Sequence, residues 1–580
     1  MKLLIANRGE IAIRIIRTCR ELGITTVVGY CESERDAAYV NMADEAYLLG
    51  RDANVFIDSA LILDIAKRAC VQAVHPGYGF LSESPDLAAA VQAAGMKWIG
   101  PDPSVLYALG DKASAREIAA RVAVPTVPGI ELSQVNATDI ETFAAKVGFP
   151  VVIKKVDGGG GRGIKVLRDL KQLHEYFQLH DGAVNPVVVE KFLEHARHLE
   201  TQCVRDAEGN FAVISTRDCS LQRRNQKMLE EAPAFDLPAE INAQLIENSR
   251  RLFAAVDYIG VGTCEFLYED NLYFLEVNPR LQVEHSVSEE VTGLDLVRMQ
   301  LTVAMGTEIP PIPEVRGHAI EMRITSEDPG AMMMPTTGVV DAVSWPLGLG
   351  VRIDTGLCEG DAVTAEFDSM IAKIIVTAEN RQQAIVRAQR VLRELKITGI
   401  KTPIAMYQAI FTEPDFVNGN FSTRWFEAEF FPQWNPGAGS ERNGSDPNTD
   451  LPSADFEMQT FTIEIDGKRG TITVPKDLIS AQRRHILPAQ PLRRSKRLIH
   501  EDALQVSDGK VTSPIQALVL KVCTAIGAQV QEGDLLAVLE SMKMESYVYA
   551  PCAGTVVDVS VADGENVVPG ALIARIEELK

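Results

Sequence analysis

The sequence has no C-x-x-C pair: its nine cysteines, Cys19, Cys31, Cys70, Cys203, Cys219, Cys264, Cys358, Cys523 and Cys552, stand scattered along 580 residues. That spacing argues against structural zinc or a disulfide framework, and reduced thiols in a cytoplasmic protein are the expectation. Long apolar runs are also missing. The first spans only residues 3–6 before Asn7-Arg8-Gly9-Glu10, too short for a signal peptide, and no transmembrane span or organelle presequence is visible. Positive charge is scarce, with 57 Lys and Arg against 79 Asp and Glu and a formal net charge of -22. A pI near 5.0 argues against nucleic acid or an anionic membrane as the main partner. One stretch is rich in glycine, but no G-K-[ST] ending follows it and the next run reads as strand. Those two absences exclude a Walker P-loop and a dinucleotide fingerprint.

What is present begins with length, which is enough for several domains. Near the C-terminus the chain repeats itself: Pro514, Gly527, Gly533, Leu535 and Glu540 recur as Pro551, Gly564, Gly570, Leu572 and Glu577. Each copy holds short alternating runs, such as Val557, Val559 and Val561 set against Val556, Asp558 and Ser560, broken by Gly turns. This is the pattern of half-buried strands. Two such copies close into a flattened barrel with pseudo-two-fold symmetry. The junction, Glu540-Ser541-Met542-Lys543-Met544-Glu545, projects Lys543 from a hairpin where a modifying enzyme can reach it.

At the other end, residues 1–105 alternate apolar runs (Leu3-Leu4-Ile5, Thr26-Val27-Val28, Ala73-Val74) with helical patterns, the punctuation of a small parallel sheet. Its loops carry Asn7-Arg8-Gly9-Glu10 and His75-Pro76-Gly77-Tyr78-Gly79-Phe80, and loops after parallel strands are where such sheets bind ligands. Plain chain reversal fits those glycines equally well. Further on, Asp157-Gly158-Gly159-Gly160-Gly161-Arg162-Gly163 lies between the runs Val151-Val152-Ile153 and Ile164-Lys165-Val166-Leu167. A hairpin tip whose bare N–H groups close over phosphates is one reading, a linker the other.

In Cys264-Glu265-Phe266-Leu267-Tyr268-Glu269-Asp270-Asn271-Leu272-Tyr273-Phe274-Leu275-Glu276, a two-residue turn at Asp270-Asn271 sets Glu265 opposite Glu276. Facing carboxylates repel unless a divalent cation bridges them; two solvated acids on one strand face are the alternative. Beyond it Glu276, Asn278, Arg280, Gln282 and Glu284 occupy every second position. If the strand continues they share one face, an acid, an amide, a guanidinium and a second acid suited to a metal, an anion and a proton acceptor.

These motifs, with Gly110-Asp111-Lys112, Glu190-Lys191-Phe192-Leu193, Arg197-His198-Leu199-Glu200, Gln222-Arg223-Arg224-Asn225-Gln226-Lys227 and Phe367-Asp368-Ser369-Met370, make residues 1–430 resemble a biotin carboxylase of the ATP-grasp superfamily. Residues 506–580 resemble a biotinyl (biotin carboxyl carrier) domain. The resemblance implies an α/β multidomain chain: a Rossmann-like N-terminal domain (1–105), an ATP-grasp domain with a mobile glycine-rich lid (106–310), a mixed C-terminal domain (311–430), a linker and small β/basic segment (431–505) and an all-β flattened barrel (506–580). It implies that Lys543 carries biotin, and that Lys112, Lys154, Gly158, Gly159, Gly160, Gly161, Glu190, Lys191, Leu193, His198 and Gln222 bind ATP. Glu265, Glu276 and Asn278 would hold Mg²⁺ (or Mn²⁺). Lys227, Arg280, Gln282, Val283 and Glu284 would bind bicarbonate, with Glu284 as base. Tyr78, Gly79, Arg352 and Asp368 would lie by the biotin ring, Arg352 stabilising its enolate. The chain departs from the family at Asn225, where His is usual, and at Lys155-Val156-Asp157, where small residues are usual.

Between the two units, residues 436–453 are rich in Gly, Ser, Asn, Asp and Pro, as flexible linkers are. A hairpin over 456–474, turning at Asp466-Gly467, follows. After it come Arg483, Arg484, Arg493, Arg494, Lys496 and Arg497, a solvated face or a docking surface for an acidic partner. No region is left for a second product-forming site, so the acceptor is carboxylated on another chain. In families of this layout such a chain is the α subunit of an acyl-CoA carboxylase, acting on acetyl-CoA or propionyl-CoA. The implied partners are a carboxyltransferase (β) subunit, a biotin protein ligase and further copies of the chain. The alternatives are the corresponding subunit of a keto-acid (pyruvate-type) carboxylase, and a carrier whose ATP-grasp region is a degenerate scaffold.

Overall fold

The first strand, Lys2–Ile5, buries Leu3, Leu4 and Ile5 almost completely, because it is the middle strand of a sheet covered on both faces. Its alternate residues feed separate cores: Leu3 and Ile5 pack with Ile11, Ile15 and Ile16 of the helix Gly9–Glu21, while Leu4 packs with Ile62 and Ile65 of the helix Ser59–Arg68. All neighbours in this five-stranded sheet are parallel, in the order Glu45–Gly50, Thr25–Cys31, Lys2–Ile5, Ala73–His75, Lys97–Trp98. The architecture comes from a computed structural model. It describes residues 1–132, 136–155, 164–179, 187–434, 458–465, 468–475, 510–513, 517–531, 533–541, 544–567 and 570–578.

The central element is an eight-stranded antiparallel sheet. Its order is Leu272–Asn278, Gly260–Tyr268, Arg197–Arg205, Phe211–Arg223, Gln226–Ala232, His318–Thr325, Met370–Ala378, Val351–Thr355. The pairing of Gln226–Ala232 with His318–Thr325 carries one sheet across the junction near residue 311. Beyond the middle of the sheet, the aromatic-rich core around Tyr407, Phe411, Phe416, Trp425 and Phe426 anchors the helix Arg381–Glu394 and the chain that follows.

A separate four-stranded sheet, ordered Gly129–Leu132, Val187–Lys191, Val151–Lys155, Ile164–Leu167, packs the helices Ala137–Val147 and Leu170–Leu179 through Ile140, Phe143, Val151, Leu173 and Val189. Val151–Lys155 and Ile164–Leu167 are adjacent antiparallel strands, as their apolar runs predict; the glycines between them lie outside the described residues.

The C-terminal repeat forms two four-stranded sheets around Val519, Leu536, Leu539, Val556, Ile573 and Ile576. Gly527 and Gly533 have φ of +90° and +88°, and their repeat counterparts Gly564 and Gly570 have +85° and +82°, so both copies turn at the same places in the left-handed region that glycine permits. The expected alternation at Val557, Val559 and Val561 needs correction. The pairing register shifts between Val556 and Asp558, a bulge that sends Val556 fully into the core and leaves Val559 and Val561 at its margin.

The segment 437–507 is a second unit. Its strands Met458–Ile465 and Lys468–Pro475 pair antiparallel, Ile465 opposite Lys468. The turn Asp466-Gly467, the linker 436–453 and the basic cluster from Arg483 to Arg497 lie outside the described residues.

Candidate active site

The site starts from the hairpin Gly260–Tyr268 and Leu272–Asn278, in which Glu265 pairs with Glu276. Paired residues of adjacent strands present their side chains to one face, as expected, but by a different route. The expected two-residue turn at Asp270-Asn271 is corrected: Tyr268 pairs with Leu272, leaving Glu269, Asp270 and Asn271 as a three-residue connection. A register shift between Glu265 and Phe266, with Leu275 as the extra residue, then restores the Glu265–Glu276 pair.

The expectation that this strand runs on to residue 284 is also corrected. It stops at Asn278, where Pro279 removes a backbone donor, and a helix begins at His285. The polar groups converge by folding back instead. Asn278 Nδ2 and Gln282 Nε2 each donate to Glu265 Oε1 at 2.8 Å, and Gln282 Oε1 accepts from Arg217 Nη2 at 3.0 Å. The Arg280 guanidinium spans Asn278 Oδ1 at 2.9 Å and Glu83 Oε1 at 2.6 Å. It thereby ties the site to the loop that follows His75-Pro76-Gly77.

At the centre is Lys227. Its ammonium donates to Glu200 Oε2 at 2.7 Å, Glu265 Oε1 at 2.8 Å and Glu284 Oε1 at 2.6 Å. Burial works against the charge on Lys227, but the three carboxylates overcome it and raise its pKa well above the ordinary value. The reciprocal effect holds for the acids. Burial alone would raise Glu284, yet Lys227, Arg323 and Arg217 bring it well below the usual carboxylate range; Arg323 Nη2 lies 2.9 Å from Glu284 Oε2. Glu265 is likewise held low by Lys227 and His198 against its own burial. Glu276 goes the other way: burial and the facing charge of Glu265 raise it. It is a partly exposed acid whose charge Lys112 and Lys227 offset only in part.

That imbalance fits a cation. Glu265, Glu276 and Asn278 offer hard oxygen donors on one face, the chemistry Mg²⁺ selects. Two other clusters, His198–Glu200–Glu265 and Glu200–Cys219–Glu284, are also compact enough for an ion. Both include Glu200, whose carboxylate is already shared between Arg217 and Lys227, so Glu276 is the acid with charge left to neutralise.

Of the residues expected at ATP, the structure brings His198 and Gln222 into this cluster: His198 Nε2 is 2.9 Å from Glu265 Oε2, and Gln222 Nε2 is 3.3 Å from His198 Nδ1. Lys112 opens the helix Lys112–Arg121 with its side chain extended into solvent, Nζ 3.9 Å from Glu276 Oε2. Glu190 is buried and paired with Arg116. Lys191 closes the strand Val187–Lys191, and Leu193 follows it. Lys154 is on the strand Val151–Lys155. Gly158, Gly159, Gly160 and Gly161 lie outside the described residues.

The residues expected beside biotin come from three elements. Arg352, on Val351–Thr355, is fixed by Asp354 at 2.7 Å and Glu289 at 2.8 Å. Tyr78 and Gly79 occupy a loop gathered by Asn7, whose Nδ2 donates to the carbonyls of Pro76 at 2.8 Å and Tyr78 at 2.7 Å. A side chain at Gly77, which has φ +65°, would meet Asn7 Nδ2 at 2.8 Å. Asp368 is exposed and accepts from the Met370 N–H at 2.8 Å. Among the described residues neither Tyr78, Gly79 nor Asp368 shares a hydrogen bond or ion pair with Arg352. The hairpin strands Leu535–Ser541 and Met544–Tyr549 pair Ser541 with Met544; Met542 and Lys543, between them in the chain, lie outside the described residues.

Sequence reasoning missed Arg217, Arg323 and Lys373 and gave no role to Glu200. All lie on strands of the central sheet, and Glu200 faces Arg217 across one strand pair. The signal available was a charged residue inside an otherwise buried strand, such as Arg217 in Phe211–Arg223. Its meaning depends on a partner strand that the sequence does not identify.

The fold and the clustered acids, lysine and arginines define an ATP-using ligase of the ATP-grasp kind. Residues 1–106 match the family described as biotin carboxylase, N-terminal domain, residues 111–312 the carbamoyl-phosphate synthase L chain ATP-binding domain, residues 321–428 the biotin carboxylase C-terminal domain and residues 507–576 the family described as biotin-requiring enzyme. The chain belongs to the biotin carboxylase family, joined to a biotinyl domain, and is a ligase that carboxylates biotin using ATP and Mg²⁺. It is 42% identical to the biotin-dependent acyl-coenzyme A carboxylase alpha3 subunit of Mycobacterium leprae, over 99% of this chain and 98% of that one. Human mitochondrial pyruvate carboxylase is 39% identical over 73% of this chain and 38% of its own length. The solved biotin carboxylase–β,γ-ATP complex from Campylobacter jejuni superposes with a TM-score of 0.67 at 36% identity, covering 73% of this chain and 98% of that one. No helix among the described residues is long and apolar enough to cross a membrane.

Proposed function

We propose that this chain is the α subunit of an acyl-CoA carboxylase: residues 1–430 charge biotin on Lys543 of the barrel 506–580, and a separate carboxyltransferase subunit passes the carboxyl group to acetyl-CoA or propionyl-CoA. The observation that carries the carboxylase part is the Lys227 ammonium within 2.8 Å of Glu200, Glu265 and Glu284. It sets a cation, an ionised proton acceptor and the metal-facing acid side by side. Lys227, Arg280, Gln282 and Val283 hold bicarbonate, an anion that takes over part of the compensation the acids now give Lys227. Glu284, kept ionised by its cationic neighbours, accepts the proton as a bicarbonate oxygen attacks the terminal phosphorus of ATP and the bond to the β-phosphate oxygen breaks, releasing ADP and leaving carboxyphosphate. Glu265, Glu276 and Asn278 bind the Mg²⁺ that accompanies the nucleotide. Lys112, Lys154, Glu190, Lys191, Leu193, His198 and Gln222 hold the nucleotide, with the glycine run 158–161 assigned to its phosphates on sequence grounds. Biotin supplies the nitrogen that takes up the carboxyl group. Arg352, braced by Asp354 and Glu289, offers a fixed positive charge toward the ring, flanked by Tyr78, Gly79 and Asp368.

The acyl-CoA reading is supported by the near-complete two-way coverage of the mycobacterial α subunit. The match to pyruvate carboxylase covers 73% of this chain and 38% of that one, which makes the keto-acid role the second reading. Bicarbonate-dependent ATP hydrolysis with free biotin tests the first half. Assaying the native complex with acetyl-CoA, propionyl-CoA and pyruvate tests the second, and turnover of pyruvate alone would reject the acyl-CoA assignment. Intact mass of the chain and of Lys543→Arg tests the attachment site.

A further inference from the structure

The strand Met544–Tyr549, which follows Lys543 in the chain, alternates across the barrel wall. Val548 is buried in the barrel core, so Tyr547 and Tyr549 face outward, their rings 6.4 Å apart. An outward aromatic pair beside the modification hairpin contributes nothing to that core. Tyr547 instead meets the carboxylase: the Arg224 guanidinium carbon lies 5.0 Å from its ring centroid. A second contact accompanies it, with Ala365, three residues before Asp368, packing against the barrel core.

Arg224 is placed for such a contact by its backbone. It and Asn225 form the tip joining Phe211–Arg223 to Gln226–Ala232, with φ of +49° and +61° and Arg223 opposite Gln226. Two successive left-handed residues make the tight hairpin turn that matches strand twist, and Asn tolerates that region better than most residues. The turn is anchored from behind by Arg223 Nη2, which donates to the Met332 carbonyl at 2.7 Å. Directly below the tip, Gln222 pairs with Lys227, so whatever rests on Arg224 stands over the strands that carry the active-site lysine.

We infer that the Arg224–Asn225 turn is a docking point for the chain's own biotinyl domain, engaged through Tyr547, which presents the tethered biotin to the carboxylase of the same chain. This rests on Lys543 as the attachment site. The chemistry of the contact suits a shuttle. A cation over an aromatic face is a weak attraction that needs little desolvation of the charge, so the carrier can leave to deliver its load, where a buried ion pair would hold it.

The test uses the full-length biotinylated chain in a single turnover, following carboxylation of the tethered biotin after mixing with ATP and labelled bicarbonate. Arg224→Ala and Tyr547→Ala are each expected to slow charging about two- to fivefold, the range a single exposed cation–π contact supports. The double variant is expected to be no slower than either single one, since both remove the same contact. Tyr547→Phe keeps the aromatic face and is expected to charge like the unmodified sequence. Hydrolysis of ATP driven by free biotin, which bypasses docking, is expected to stay unchanged in all of them, and the tethered rate is expected to be independent of protein concentration. Charging of Tyr547→Ala at the original rate, additive effects in the double variant, or a rate that rises with concentration as docking between copies requires, would each overturn the inference. Intact mass separates the two readings: a chain without biotin on Lys543 removes the attachment site, whereas a biotinylated chain indifferent to Arg224 removes only the docking.

Discussion

Lys373 Nζ donates to the Val283 carbonyl at 2.7 Å, fastening the turn that carries Glu284 to the strand Met370–Ala378, which lies beside Arg352. The same ammonium is 3.5 Å from Glu10 and 3.9 Å from Asp354, and Asp354 in turn holds Arg352. One fully buried lysine therefore links the proposed base, the arginine proposed to face biotin and the first helix of the N-terminal domain. Lys373→Met leaves the buried Glu10 carboxyl without its cation while Asp354 keeps Arg352, and a loss of about 3–5 kcal/mol follows for a buried pair broken from one side. Denaturant unfolding of the carboxylase region checks it. Retention of both stability and turnover would show that the lysine only fills space.

Glu284→Gln keeps shape and removes the proton acceptor. Bicarbonate-dependent ATP hydrolysis should fall by about 10²- to 10⁴-fold, the usual contribution of a positioned base, while nucleotide affinity holds. Lys227→Gln behaves differently, because it leaves Glu200, Glu265 and Glu284 sharing a buried space without the ammonium. It should cost stability as well as activity. The sign with pH follows from the shifts: Glu265 and Glu284 are lowered, so their stabilisation is complete above the ordinary carboxylate range and is lost as acid protonates them. Lys227 is raised, so its share persists to high pH. Removing Lys227 should therefore move the acid unfolding midpoint upward, as read by fluorescence against pH.

Much of this was legible beforehand. The parallel N-terminal sheet, the strands around the glycine run and the barrel repeat all follow from apolar periodicity and glycine position. The Glu265–Glu276 pair was legible too, although through a wrong turn length that the bulge at Leu275 offset. What stayed hidden was the order of the eight-stranded sheet. Lys227 reaches Glu200 and Glu265 from strands brought together only by long-range pairing, and no local pattern around Arg217 or Arg323 encodes which acid each one meets.

Glu276 carries a raised pKa because burial and the facing charge of Glu265 disfavour its ionised form, and a divalent cation reverses that balance. Binding of Mg²⁺ with nucleotide should therefore release protons, increasingly so as pH falls toward the carboxylate range. Calorimetry in buffers of different ionisation enthalpy measures the release directly. Glu276→Gln should abolish that component and weaken Mg²⁺ binding, and an unchanged proton count would move the metal away from this pair.

Glu10 gives the opposite pH dependence from the Lys227 cluster. Burial, set against the attraction of Lys373, raises its pKa to about 7 from 4.5. A carboxyl raised in the folded state favours folding while protonated, and its contribution is lost as pH climbs from the unfolded value toward the folded one. Replacing it by Gln removes that loss. Glu10→Gln should therefore gain on the unmodified protein as pH rises, by about 2 kcal/mol between roughly pH 5.5 and 8 when the shift is integrated at 1.36 kcal/mol per unit. Urea unfolding at the two pH values reads the difference. A gap that stays constant, or narrows with rising pH, would mean that Lys373 keeps Glu10 ionised throughout, and the lysine would then be the sole partner the acid needs.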